Sequence, residues 1–223
     1  MSRTETALRG VRLRVSDLLR DRPDADGDLP SPATPEWRVR EVLSHMVGVG
    51  ADVLAGRLDG VASDPWTAAQ VDARRGHTLA DLLAEWDEVG PAFEQALGGA
   101  PEVMAGQAVF DAMTHEHDIR LALDEPGARE SDAVEVAFDW ATDGRTRASL
   151  PALRFVTEAG EAVGGAGDPI ATVSTSRFEI VRAVTGRRTA QEVAAFTWDP
   201  PQPPETLMVT DMFVLCRASL GEG

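Results

Sequence analysis

The chain has 223 residues, 43% of them hydrophobic, enough for a substantial core in one large domain or one domain with a smaller companion. Its 37 acidic against 21 basic residues give a net charge of -16, which argues against nucleic acid and anionic membranes as partners and leaves small ligands. A lone cysteine, Cys216, excludes an internal disulfide and a Cys-rich zinc module. No apolar run approaches the roughly 18 residues of a membrane span, and MSRTETALRG has no signal-peptide core, so a cytoplasmic location is expected.

From about Thr4 to Arg20 the residues Leu8, Val11, Val15, Leu18 and Leu19 recur at helical spacing, and DRPDADGDLPSP breaks the pattern. Thr34 and Pro35 read as an N-cap and a first-turn proline for a second helix whose stripe is Val39, Val42, Leu43, Met46 and Val47. His45 falls at the edge of that stripe, where it can reach a cleft between helices. The stretch GVASDPWTAAQVDARRG reads as a long connection with room for one short helix. Thr78 with Asp81 starts the next helix, with Leu79, Leu82, Leu83, Trp86, Val89 and Phe93 on one face. Another runs from about Glu102 to Leu123, and a further one from about Ser131 to Thr142 completes a helical bundle. Beyond about Arg147 the texture changes. ALRFVTE and IATVST look like two short strands around a glycine-rich turn, Ser176/Glu179 and Thr189/Glu192 resemble capping boxes, and LMVTDMFVLC suggests a last strand or helix. The expected architecture is α+β, with a helical bundle over residues 1–147 and a small α+β domain over 148–223.

The segment FDAMTHEHDIR carries two of the four histidines inside a helical pattern. Positions four apart share a face, so Asp111 and His115 can reach one point, whereas His117, about 200° further round, points away. Small residues on the Asp111/His115 face, such as Ala108 and Ala112, leave room for a cavity. A divalent metal held by Asp111, His115 and His45 would keep positions open for water or substrate. An Asp–His pair at this spacing is more often a simple hydrogen-bonded helix pair, so the spacing alone does not choose between the two. His117 reads as a buried packing or partner-contact residue and His77 as solvated. Cys216 lies in an apolar run with no histidine near it, which suits an inert thiol better than a nucleophile. Arg177, Arg182, Arg187 and Arg188 are the densest positive cluster; guanidinium forks suit carboxylate ligands, but could equally pair with Glu179 and Glu192.

Four segments in order, WRVREVLSHMVG, WTAAQVDARRGHTLADLLAEWDE, THEHDIRLALDEPG and SRFEIVRAVTGRRTAQEVAAFTWD, resemble the mycothiol-dependent maleylpyruvate isomerase family of actinobacteria, over about residues 5 to 200. The resemblance implies a DinB-like four-helix bundle, with a divalent metal, commonly zinc, held by a histidine of the second helix and an acid-x-x-x-His pair further on. The matching positions are His45, Asp111 and His115, although the acid is often glutamate and here is the shorter aspartate, which leaves room for a water-mediated or histidine-orienting role. It also implies a C-terminal domain similar to a sterol-carrier fold, whose arginines help complete the active site, a part that falls to Arg182 and Arg187. The activity implied is isomerisation or S-transfer, with mycothiol as nucleophile or co-substrate, on a small electrophile that can bear carboxylates. Nucleic acid and membrane are not expected as partners, and a homodimer is allowed. A non-catalytic binding or regulatory module on the same fold, and a thiol-independent metal hydrolase, are the other readings. After the Trp-Asp of the last segment, DPPQPPETLMVTDMF departs from the family pattern.

Overall fold

In the computed structural model, which describes residues 1–210 and 213–222, the chain divides into two compact units, Met1–Gly127 and Ala128–Gly223.

The first unit is a four-helix bundle of α1 (Arg3–Leu19), α2 (Val39–Leu54), α4 (Leu79–Gly98) and α5 (Glu102–Ala122), with a shorter helix, α3 (Asp64–Ala73), against α2. The stripes anticipated from periodicity form its core: Val11, Val15, Val42, Leu43, Val47 and Leu82 are wholly inaccessible. Helix ends follow local chemistry. Ser2 caps α1, accepting from the Glu5 amide at 3.1 Å, and Thr78 caps α4 through the Asp81 amide at 3.1 Å. Asp24 also accepts from the Leu79 amide at 2.7 Å, so α4 begins with its first donors satisfied.

Thr34 and Pro35 do not open α2. The Thr34 amide donates to the Ser31 carbonyl and the Trp37 amide to that of Thr34, while Ser31 and Trp37, and Leu29 and Val39, are hydrogen-bonded across the loop. This closed loop delays the helix to Val39. Helix α5 departs from simple amphipathicity: Met113 to Ile119 are all buried, with Glu116 and Asp118 fully inaccessible. Such carboxylates require partners. Glu116 receives Arg14 through two bonds, 2.8 and 2.6 Å, and Arg120 at 3.1 Å.

The second unit holds α6 (Asp132–Thr142), β1 (Pro151–Thr157), β2 (Gly160–Gly164), β3 (Ala166–Ser174), α7 (Arg177–Val184), α8 (Ala190–Ala194) and β4 (Thr197–Asp199). Its described strands form one sheet in the order β2-β1-β3-β4, with β1 and β3 parallel and both outer pairings antiparallel. Leu153, Phe155, Ala171 and Val173 are buried on one face of the sheet, and Phe178, Val181 and Val184 of α7 are buried as well. The two anticipated strands are β1 and β3. β2, a glycine-rich edge strand, and the three-residue β4 carry too little alternation to be read from sequence. Helix α6, placed with the bundle by the sequence reading, packs on this unit: Phe138 meets Phe155 edge to face at 6.1 Å.

Thr189 and Glu192 form a full capping box, whereas Ser176 alone caps α7 and Glu179 is taken by Arg188. Within LMVTDMFVLC the described residues hold an isolated bridge from Cys216 to Thr189 in place of a last strand or helix, and Asp211 and Met212 lie outside the described residues.

Candidate metal centre

Helices α2 and α5 pack so that His45 faces Asp111 and His115. His45 Nε2 lies 3.5 Å from Asp111 Oδ2, and His115 Nε2 lies 3.6 Å from Asp111 Oδ1, so each carboxylate oxygen faces one ring. The imidazoles are nearly perpendicular, 4.9 Å between centroids. One ligand-type atom from each of the three residues falls within 4.8 Å of the others.

Both rings are held from behind. His115 Nδ1 is 3.2 Å from Asp118 Oδ2, one turn along its own helix, and His45 Nδ1 is 2.7 Å from Gln70 Oε1, on α3. Those contacts leave the two Nε2 atoms as the ones presented to Asp111. Two imidazole nitrogens and a carboxylate are acceptors in their neutral and ionised forms, and their convergence calls for a proton or a cation between them. The donor set fits a borderline divalent ion, for which two histidines and a carboxylate leave a further position for water or substrate.

Burial disfavours the charged His45 ring, but the Asp111 carboxylate, its hydrogen bond and the Gln70 contact more than offset this, and the His45 pKa is raised above its ordinary value. The histidines are 4% and 8% exposed, whereas the Asp111 side chain is 37% exposed and forms the accessible side of the cluster. Half-buried Trp37, delivered by the closed loop before α2, stands 5.4 Å from the His45 ring and 5.9 Å from His115. Trp66 of α3 lies edge-on to His45 at 6.5 Å, its indole N–H donated to the Arg57 carbonyl. A cavity of about 20 Å³ lies between Leu8, Met46, Trp86, Phe93 and Ala112 and reaches Asp111, so the small residues of that face do leave space.

The sequence pattern missed Gln70, Asp118, Trp37 and Trp66. Asp118, at His115 plus three, could have been found from helical spacing; Gln70 could not, because α3 gives no clear apolar period. His117 is buried, on the side of α5 away from Asp111 as the wheel requires. His77 is partly covered, and its backbone carbonyl accepts from Arg40 at 2.9 Å.

Of the C-terminal arginines, Arg177 is half-buried and donates to Glu158 at 3.0 Å, while the other three are buried in the second unit. Arg182 is fully buried, its Nε donating to Glu222 at 2.8 Å. Arg188 bridges Glu179 and the same Glu222 oxygen, at 2.6, 2.7 and 2.7 Å. Arg187 is buried, with Nη1 on the Thr185 carbonyl. Cys216 donates its thiol to the Gly186 carbonyl at 2.8 Å, and burial, the leading influence, raises its pKa, so it is poorly suited to be a nucleophile.

A four-helix bundle carrying a buried histidine pair around a carboxylate, joined to a small α+β unit, defines the class: a helical-bundle protein with a candidate metal centre. The model of the mycothiol maleylpyruvate isomerase N-terminal domain matches residues 8–132, more than half of the chain, and the chain belongs to that family. Among solved structures it is similar to a crystal structure of the mycothiol-dependent maleylpyruvate isomerase, at a TM-score of 0.54 and 13% identity over 89% of this chain and 92% of that one. A histidine-to-alanine mutant of that isomerase matches at a TM-score of 0.59 and 14% identity with the same coverage. At these identities the likeness is one of fold. No curated protein matches the chain by sequence.

Proposed function

We propose that the protein is a metal-dependent enzyme that uses mycothiol, a low-molecular-weight thiol, as nucleophile or co-substrate in isomerisation or S-transfer on a small electrophile, with carboxylate-bearing compounds such as maleylpyruvate the first to test. The observation that carries the proposal is the convergence of His45 Nε2, His115 Nε2 and the Asp111 carboxylate within 4.8 Å, in a bundle of this family. Those three residues would hold the ion, and zinc suits a donor set of two imidazoles and a carboxylate. A bound ion of this kind supplies one thing, a lowered thiol pKa that makes thiolate available at neutral pH.

The chain's own residues account for the rest. Asp118 and Gln70 keep the imidazole Nε2 atoms turned inward. Asp111 supplies the negative charge that balances a cation and occupies the exposed side of the cluster, where an incoming ligand would arrive. Trp37 and Trp66 shield the imidazoles from bulk water and offer flat apolar surface to a ligand. The only cysteine is withheld by its bond to Gly186, so a thiol must come from outside. Arg182 and Arg187 are the residues we assign to substrate carboxylates. In favour of the Arg182 assignment, its guanidinium is already complementary to a carboxylate, that of Glu222. The lone reduced thiol suits the reducing cytoplasm in which we place the protein.

The test is metal content by mass spectrometry, with turnover of maleylpyruvate and a panel of electrophiles measured with and without mycothiol on the same sample. Stoichiometric metal and mycothiol-dependent turnover, both lost in His115→Ala, are expected. A metal-free protein whose His115→Ala form binds mycothiol equally well would sink the proposal, and turnover that ignores thiol would point to metal-dependent hydrolysis.

A further inference from the structure

The two histidines of the centre are anchored differently. His115 is fixed by Asp118 from within its own helix, whereas the ring of His45 depends on α3. Gln70, 2% exposed, places Oε1 2.7 Å from His45 Nδ1, and its Nε2 donates to Asp52 Oδ2 at 2.8 Å. Asp52 is held in turn by Arg57, whose Nε donates to Oδ1 at 2.8 Å. An ionised carboxylate can only accept, so Asp52 decides which end of the Gln70 amide faces it, and the carbonyl must turn to His45. A carbonyl oxygen also can only accept. The ring faces two acceptors, and Gln70 Oε1 at 2.7 Å is much closer than Asp111 Oδ2 at 3.5 Å, so the neutral His45 carries its proton on Nδ1 and its lone pair on Nε2, the atom that faces Asp111. Had the amide been reversed, its N–H would demand a lone pair on Nδ1 and place a proton at Nε2, where a cation would bind.

The backbone is shaped for this contact. Gly48, one turn after His45, has no side chain where Gln70 packs, and a Cβ there would stand 2.5 Å from Gln70 Cβ. Arg74, on the turn after Gln70, donates to its carbonyl at 3.1 Å and to Glu85 of α4 at 3.0 Å, which fastens α3 in place.

We propose that Gln70, oriented by Asp52, is the positioning residue of the centre: it selects the His45 tautomer that offers Nε2 to a divalent cation. The proposal rests on the metal-binding reading above. Gln70 itself touches neither cation nor substrate.

The experiment uses the full chain, unaltered and as Gln70→Leu, and as a double variant combining Gln70→Glu with Asp52→Asn, which keeps an acceptor at His45 while exchanging the partners behind it. Long-range ¹H–¹⁵N correlation spectra of the metal-free proteins at alkaline pH report the ring tautomer of His45. Competition titration with a chelating dye reports Zn²⁺ affinity, and circular dichroism reports folding. The unaltered chain should show the Nδ1-protonated tautomer, Gln70→Leu a mixture with Zn²⁺ affinity about 10- to 100-fold lower, and the double variant a return of the tautomer with most of the affinity. If Gln70→Leu keeps both tautomer and affinity, the positioning role is overturned while the metal reading stands. If the unaltered chain does not bind Zn²⁺, the metal reading fails, and the His45 tautomer alone decides whether Gln70 sets the ring. Should Gln70→Leu not fold, the double variant decides: a proton on Nε2 there overturns the proposal.

Discussion

Gly48 of α2 and Gln70 of α3 meet so closely that a single added methyl group at residue 48 would stand 2.5 Å from Gln70 Cβ. Gly48→Ala should therefore push α3 outward. Overpacking of this kind costs about 1–3 kcal/mol, to be read as a lower urea midpoint at unchanged m-value, and it should loosen the Gln70–His45 bond enough to lower Zn²⁺ affinity as well. A midpoint and affinity both equal to those of the unaltered chain would show that α3 is free to adjust and holds nothing in register.

Little of that contact can be foreseen from sequence. The stripes of α1, α2 and α4 are visible because each buries one face at a 3.6-residue period. α3 is the short helix for which the connection from Gly60 left room, but with Pro65 in its first turn and only Gln70 fully buried, its inward face carries no readable period. The apolar positions of α6, with Val134 and Phe138 among them, announce a buried face but not the body it covers, and it covers Phe155. The candidate site divides the same way. Asp111 and His115 are a pair on any helical wheel, but their meeting with His45 depends on how α2 crosses α5; the residues offered that trio only as one reading beside a simple helix pair, and the family resemblance favoured it. Thr34–Pro35 misled because a cap signal is local, and the loop's bonds from Ser31 to Trp37 outweigh it.

The carboxylate of Glu116 is fully buried and depends chiefly on Arg14, with Arg120 as second partner. Removing one member of a buried ion pair leaves a charge that neither water nor protein compensates. Arg14→Met should cost about 3 kcal/mol, the lower end of the range for such losses because Arg120 remains. The double variant with Glu116→Gln should recover much of it. Additive losses in that double-mutant cycle would mean that the bidentate contact contributes nothing beyond its parts.

In the second unit Glu222 joins the fully buried Arg182 to Arg188, its own side chain 8% exposed. Glu222→Gln keeps the shape but halves the charge complementarity around two guanidinium groups. A loss of about 2 kcal/mol is expected, from the worth of hydrogen bonds to charged partners. Hydrogen exchange should show it in α7 and α8 ahead of the bundle helices, since these residues all belong to Ala128–Gly223. Faster exchange in α1 or α5 instead would contradict the assignment of that ion pair to the second unit's own stability.

The raised pKa of His45 beside Asp111 makes a prediction of definite sign. The folded-state pKa of His45 lies above 6.5, so the contribution of the charged pair to stability is fully present below the unfolded value of about 6.5 and fades as pH rises through the higher folded value. Metal-free protein should thus lose melting temperature as pH is raised through that window, and Asp111→Asn should flatten the dependence. Zn²⁺ works in the opposite sense. It requires the neutral ring, so its stabilising effect should grow over the same interval, and melting curves with and without Zn²⁺ should diverge as pH rises. A metal-free profile as flat in the unaltered chain as in Asp111→Asn would show that no proton bridges the two residues. Parallel profiles with and without Zn²⁺ would show that the ion, if it binds, does so without displacing a proton from His45.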